Sequence, residues 1–477
     1  MSFENRDCLG NVMKIKELNL RNFRGFKELD IKFPSSNLAV FIGINGAGKS
    51  SILDAIAMFL SDFILNLIQK EDNVGIEFLF TNNDINIVNY DYDIHNNITI
   101  ESDTFDSIIP FERISWNISY SDPINGFEAY HLREVADMIF KESDIDKLEE
   151  YIETIQGKLK KNQFLNLPIL VYYQTNRAIL KDRFNQKNKR VTLPNQFFAY
   201  ENAFTKNVTN LSDFVSWFRF EEDLENEMKI KQKDFNAINK NLEVIRKAIT
   251  TFLNQFPACE FSDLHIERRS QDKNFSFHSA EESSLVIKKN GHDLKIDQLS
   301  AGEQIVLMMV SDIARRLAIA NPSLPDPLQG KGIVLIDEIE LHLHPQWQRQ
   351  IIPCLLHTFP NIQFIITTHS PQVLGNVDKE EVFILEDFKI VEKTPHTKGR
   401  DSNSVLYELL GVEERPKEYK DKLNQLYRLI DDEKFDEAKE ILSELTEKFG
   451  EHDTEIVRAN MHLNLAEEDM NEIHQEG

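Results

Sequence analysis

LAVFIGINGAGKSSILDAIAMFL, Leu38 to Leu60, decides the fold. The run AVFI is short, apolar and unalternating, as a strand buried on both faces should be. A glycine-rich turn follows, and then a pattern that reads as a helix. Gly43 to Ser50 fits G-x-x-x-x-G-K-[ST], with strand before and helix after. Gly43, Gly46 and Gly48 permit backbone angles that turn successive N–H groups toward phosphate. A helix opening near Lys49 adds its positive end. The set Asn45, Gly46, Ala47, Gly48, Lys49, Ser50 and Ser51 is therefore expected to hold a nucleoside triphosphate. Lys49 would contact the β and γ phosphates, and Ser50 the Mg²⁺.

A second apolar run, KGIVLIDE, ends in two adjacent acids, Asp337 and Glu338. Unpaired buried carboxylates are costly, so the pair needs a chemical reason. Asp337 is expected in the Mg²⁺ shell, and Glu338 beside it as the base that orients the attacking water. A third run, NIQFIITTHS, delivers His369, 32 residues past Asp337, to another strand end, where it would reach the γ-phosphate. Gln174 follows the buried run LPILVYY and is a candidate for sensing both Mg²⁺ and γ-phosphate.

Composition bounds the rest. The chain has 477 residues, enough for two or three structural units. Three widely spaced cysteines make neither a disulfide framework nor a CxxC zinc pattern, which fits a reducing cytosol. No unbroken apolar run approaches the roughly 18 residues of a membrane span, so no membrane role is expected. Net charge is −25, which argues against a whole-surface nucleic-acid coat. The charge is uneven. From Gly157 to Arg190 there are nine Lys/Arg and one acid, while from Asp401 onward there are 22 acids and nine bases. The basic island, Lys158–Arg190, reads as a DNA-contacting patch, a solvated loop, or a surface for another subunit's acidic tail. His342 and His344 alternate in LHLHP, but no third ligand accompanies them, so a metal site is not expected there.

The expected layout is α/β, with strands alternating with helices around a largely parallel sheet. Residues 1–60 carry a short hairpin and the phosphate loop. Residues 61–165 form an inserted, irregular β/α region with strand-like pieces NITIES and ISWNISY. Residues 166–290 form a further lobe with a short helical arm at about 210–256, and residues 291–400 carry the remaining motifs. Residues 401–477 read as amphipathic helices resembling one tetratricopeptide unit, either a helical cap or a docking surface.

LSAGEQ, Leu299 to Gln304, resembles the signature motif of ABC-type ATPases. A serine N-cap alone explains Ser300 but not the order of the other motifs. LRNFRGF, with Asn22 and Arg24, resembles the N-terminal segment of SMC, RecF and Rad50 ATPases. VYYQTNRAI, SDIARRLAIANP, GIVLIDEIELHLHPQWQRQIIP, FPNIQFIITTHSPQVL and GRDSNSVLYELLGVEERP narrow the likeness to the ATPases of Septu-type anti-phage systems, including retron-associated relatives.

The resemblance implies an ABC-type P-loop ATPase head with a helical insertion and an all-helical C-terminal region. It implies ATP and Mg²⁺ as cofactors and slow hydrolysis, with no intrinsic nuclease. It implies that Ser300, Ala301, Gly302 and Glu303 close over the γ-phosphate of a facing subunit, so that ATP is sandwiched in a homodimer. Higher assemblies of dimers stay open. Asn22 and Arg24 would lie near the nucleotide, and a separate HNH nuclease of the PtuB kind would be the partner. A RecF-like DNA-binding repair ATPase is the alternative. Ala301 departs from the common LSGGQ, but it is small enough to keep the contact.

Overall fold

A computed structural model describes residues 13–68, 94–101, 113–120, 145–161, 165–175, 196–205, 211–257, 259–268, 283–391, 395–410 and 415–476. The chain divides into two compact units, Met1–Ser402 and Asn403–Gly477.

In the first unit, β1 (Lys14–Phe23) and β2 (Phe26–Lys32) form the expected hairpin around Arg24-Gly25. Strand β3 (Leu38–Gly43) leads through the glycine loop into α1 (Lys49–Ile68). Strands β4 (Ile94–Glu101) and β5 (Arg113–Tyr120) are the two strand-like pieces of the inserted region. They extend the hairpin into an antiparallel sheet of order β2-β1-β4-β5. The inserted β/α region also carries helix. Helix α1 runs on to Ile68, and α2 spans Ile145–Lys160.

Then come β6 (Ile169–Tyr173), α3 (Leu211–Gln232) and α4 (Lys240–Leu253). Strands β7 (Phe261–Arg268), β8 (Ser283–Lys289) and β9 (His292–Lys295) make a three-stranded antiparallel sheet. Helix α5 (Ala301–Ala320), β10 (Gly332–Ile336), α6 (Pro345–Thr358), β11 (Ile362–Thr367), β12 (Val382–Glu386) and β13 (Lys389–Ile390) complete the unit.

The central sheet has order β13-β12-β3-β11-β10-β6, parallel except for β13. Every residue of β3, β6, β10 and β11 is buried, which is why these runs do not alternate. Their C-terminal ends lie together, and ligands bind beyond such ends in open α/β sheets. Helix α1 is long and apolar enough to cross a membrane, but most of it is buried in the fold. A mostly apolar helix belongs in a protein core as readily as in a bilayer.

Helices α3 and α4 form the short arm. Its base is held by Glu225, which accepts from the Asn239 N–H at 3.0 Å and pairs with Arg246 at 3.1 Å. Its tip leaves Ile230, Phe235 and Ile238 exposed. The second unit holds α7 (Ser402–Leu410), α8 (Lys417–Asp431), α9 (Phe435–Phe449) and α10 (Thr454–Glu476). Leu426, Ala438, Leu445, Ile456 and Ala459 centre its own small core.

Candidate nucleotide-binding site

The glycine loop is built by close approach. A Cβ on Gly43 would sit 2.3 Å from the Leu385 carbonyl oxygen, so β12 can lie against the loop only because Gly43 has none. Gly48 has φ +101°, and a Cβ there would meet the Phe26 ring at 2.5 Å. The Phe388 ring fills the same corner and meets Phe26 edge-on. Behind this packing, Lys49 is buried and its ammonium donates to the Gly43 and Ile44 carbonyls at 2.9 Å each. Burial lowers its pKa, while Asp337, Glu338 and Glu340 act to raise it. A lysine folded back across its own loop is a cation poised to turn to phosphate oxygens. Asn45 is exposed, Ala47 is buried, and Ser50 and Ser51 lie in the first turn of α1.

The loop is tied to β10 by one side chain. The Ser50 hydroxyl donates to Asp337 at 2.9 Å (Oδ2) and 3.2 Å (Oδ1). The Thr367 hydroxyl, at the end of β11, donates to Asp337 Oδ1 and accepts the Glu338 N–H at 2.8 Å. Asp337 in turn donates its own N–H to the Tyr173 carbonyl at 2.8 Å, at the end of the strand that Gln174 follows. The Gln174 Nε2 is buried with no hydrogen-bond partner. Glu338 has φ +47°, a left-handed backbone that costs a non-glycine residue energy and clusters at functional sites.

His369 follows two residues after Thr367. Its backbone N–H donates to Glu340 Oε1 at 2.6 Å, and the Thr368 hydroxyl donates to Glu340 Oε2 at 2.7 Å. Burial first, and then the Lys49 charge, lower the pKa of the imidazole, which favours the neutral form.

The oxygens of Ser50, Asp337 and Gln174 suit a hard divalent cation such as Mg²⁺. The unpartnered Gln174 Nε2, a donor, fits a phosphate oxygen, and the acids Asp337 and Glu338 near the buried Lys49 fit such an ion. No cluster of three His, Cys, Asp or Glu with metal-holding geometry occurs among the described residues. His344 instead caps α6, accepting the Gln346 N–H at 3.3 Å, so LHLHP is a turn and a cap.

The signature turn is built differently. Ser300 N-caps α5, and its capping box is closed by Glu303, whose carboxylate accepts the Ser300 N–H at 2.9 Å and pairs with Lys289. Ser300 and Ala301 face solvent. Gly302 is buried, and a Cβ there would lie 2.5 Å from the His342 carbonyl oxygen. The turn thus rests on the segment after Glu338, with its outer residues presented outward.

Arg24 faces the helix that follows the glycine loop. Its guanidinium pairs with Asp54 of α1 at 2.5 Å, and Asp54 also accepts the Tyr172 hydroxyl at 2.9 Å. Asn22 and Arg24 both adopt positive φ, +52° and +49°, at the hairpin turn. The basic island lies mostly outside the described residues. Of its members, Lys160 and Lys161 are described as exposed. Sequence reasoning missed Asp54, Glu340, Thr367 and Thr368. The polar pair TT before His369, and the alternation of acids in DEIE, were signals for three of them.

The family described as "AAA domain, putative AbiEii toxin, Type IV TA system" matches residues 38–375. The chain is 31% identical over 504 residues to the retron Ec83 probable ATPase of Escherichia coli, covering 95% of this chain and 87% of that protein. It is 30% identical over 441 residues to the retron Vc95 probable ATPase of Vibrio cholerae serotype O1 biovar El Tor, covering 83% and 78%. A Septu protein PtuA of Bacillus thuringiensis is 23% identical over 441 residues, covering 88% and 90%. Among solved structures, the Smc head domain of Pyrococcus furiosus bound to the C-terminal domain of ScpA overlays with a TM-score of 0.40 at 15% identity, covering 80% of this chain and 96% of that one. The motif-bearing unit and these relatives lead to one assignment: the chain belongs to this family of P-loop ATPases, alongside the retron ATPases and Septu PtuA.

Proposed function

We propose that the chain binds ATP with Mg²⁺ and hydrolyses it slowly at the C-terminal ends of β3, β6, β10 and β11. The observation that carries this reading is the bond from Ser50 to Asp337, which joins the glycine loop to the strand end bearing Glu338. Lys49 and the loop N–H groups bind the β and γ phosphates. Ser50, Asp337 and Gln174 would hold Mg²⁺, which when bound neutralises charge on the phosphate oxygens. Glu338 takes the proton of the attacking water as its oxygen bonds to the γ-phosphorus. The bond to the leaving ADP oxygen breaks, giving ADP and phosphate. Neutral His369 donates a hydrogen bond to the γ-phosphate.

In this reading the site is completed by a second copy. The outward-facing Ser300 and Ala301, on a helix N-terminus, contact the γ-phosphate held by the other subunit. ATP therefore closes two heads, and hydrolysis opens them. The kinship with Septu and retron ATPases extends the proposal to an anti-phage complex in which head spacing controls a separate HNH nuclease. The basic island supplies a salt-sensitive DNA contact.

Glu338→Gln tests the core of this. The variant is expected to bind ATP, lose turnover and sediment as a closed dimer. A monomer at saturating ATP would sink the sandwich. Affinity purification from the native host is expected to bring down the nuclease in fixed ratio.

A further inference from the structure

The segment after Glu338 is a pair of tight turns under strain. Leu341 donates to the Glu338 carbonyl at 3.0 Å, and Leu343 to the Glu340 carbonyl at 2.9 Å. Glu338 and His342 both adopt left-handed angles, φ +47° and +64°. Each is a strained backbone and persists only where surroundings hold it. One holding contact is backbone: the Ile339 N–H donates to the Thr367 carbonyl at 3.1 Å. The others are side chains. Thr367 caps the Glu338 N–H, and Glu340 grips the strand end beyond it.

Both oxygens of Glu340 are used. One accepts the His369 N–H and the other the Thr368 hydroxyl. Thr368 is fully buried and also accepts the Ser370 N–H at 3.0 Å, so the grip reaches three consecutive residues. At the far end of the turns, the His342 carbonyl abuts Gly302 of the signature turn. A continuous set of contacts therefore runs from Gly302 through the turns and Glu340 to His369.

We propose that Glu340 is a positioning residue for hydrolysis: its carboxylate fixes the backbone of Thr368 and His369, and so the direction in which the His369 ring is presented. The inference rests on the role given to His369 above. Glu340 touches neither nucleotide nor water in this account and acts only through the histidine. Because both bonds are accepted from fixed donors, their geometry matters more than their charge. A glutamine can keep both, accepting from His369 and donating to a rotated Thr368 hydroxyl. An alanine keeps neither.

The test is steady-state ATPase of the full chain with Mg²⁺-ATP, in Glu340→Ala, Glu340→Gln, Thr368→Val, His369→Ala and the Glu340→Ala/His369→Ala double variant. Misplacing a reacting group by about 1 Å costs roughly 100-fold. Glu340→Ala is therefore expected to lower kcat by about 10- to 100-fold with KM for ATP within about 3-fold. Glu340→Gln should stay within about 3-fold of the parent, and Thr368→Val should fall between. The double variant should be no slower than His369→Ala alone, because residues acting through one group do not add. Multiplying losses in the double variant, or a Glu340→Ala kcat within about 2-fold of the parent while His369→Ala is slow, overturns the inference alone. A parental rate in His369→Ala overturns the histidine's role, and the inference with it. If Glu340→Ala does not fold, Thr368→Val and Glu340→Gln decide: equal, large losses in both overturn it.

Discussion

Asp312→Ala should destabilise the first unit out of proportion to one side chain. Asp312 lies on α5, almost wholly buried, and meets three donors. The Tyr173 hydroxyl reaches Oδ2 at 2.8 Å, Arg316 Nε reaches Oδ2 at 2.7 Å, and Arg315 Nη2 reaches Oδ1 at 2.8 Å. Arg316 is fully buried and spends its Nη1 on the Ala199 and Glu201 carbonyls. Removing the carboxylate strands that guanidinium without a counter-charge, which costs about 3–5 kcal/mol. A unit of Met1–Ser402 has an unfolding entropy of about 0.8 kcal/mol/K at roughly 2.1 cal/mol/K per residue. The expected fall in the midpoint of the first thermal transition is then about 4–6 °C. The sign with pH follows from the lowered pKa of Asp312, whose arginine partners favour the carboxylate. Its contribution is present above its ordinary value of 3.8 and is lost as pH falls through the lower folded value. The gap between variant and parent should therefore be full at pH 7 and narrow below about pH 4. Scanning calorimetry across that range is the assay. A shift under about 1.5 °C at pH 7 would refute the reasoning, by showing that the buried arginine finds another counter-charge or water.

Two further outcomes follow from particular positions. Gly302→Ala should leave ATP binding by the single chain within about 3-fold but lower turnover at least about 10-fold. The new methyl meets the His342 carbonyl at 2.5 Å, and overpacking against backbone displaces the turn; unchanged turnover at all protein concentrations would count against a role for this turn. Asp62→Asn should raise stability at pH 8 by up to about 3 kcal/mol, a gain that shrinks as pH falls through about 6 and is lost well below 3.8, since burial pushes the Asp62 carboxyl up to about 6, from an ordinary 3.8. Equal gains at pH 8 and pH 3 in chemical denaturation would contradict that sign.

Much of the site could be read in advance because its motifs sit at strand ends in fixed order. GINGAGKS, the acids of KGIVLIDE and the histidine of NIQFIITTHS are each preceded by a fully buried run, and such runs announce themselves by lacking alternation. The same property hid the extent of α1. With Ile52, Ile56, Phe59, Phe63 and Leu67 buried alongside Leu53, Leu60 and Ile64, it has only a narrow polar stripe, Ser50, Asp54, Asp62 and Asn66, to mark its length. The TT pair and the acids of DEIE mark Thr367 and Glu340 as polar residues at strand ends, but their bonding depends on the register that sets β11 beside β10, a long-range pairing that no local pattern encodes. The pairing of Arg24 with Asp54 is equally hidden, since its partner lies 30 residues away on the helix that follows the loop. The join of β1 to β4 was equally illegible, since hairpin signals stop at the hairpin.

The order of the central sheet, β13-β12-β3-β11-β10-β6, has a consequence for a chain emerging from the ribosome. The phosphate loop is made first, but its strand lies between β11 and β12, which are made more than 300 residues later. Until then β3 has neither neighbour, and Asp337, which fixes Ser50, does not exist. Synthesis from the N-terminus at about 5–20 residues per second puts tens of seconds between the loop and its completion. A nascent or truncated chain therefore carries the glycine loop without the groups that would act on its ligand. Turnover begins only when nearly the whole first unit has been translated and its most distant strands have found each other.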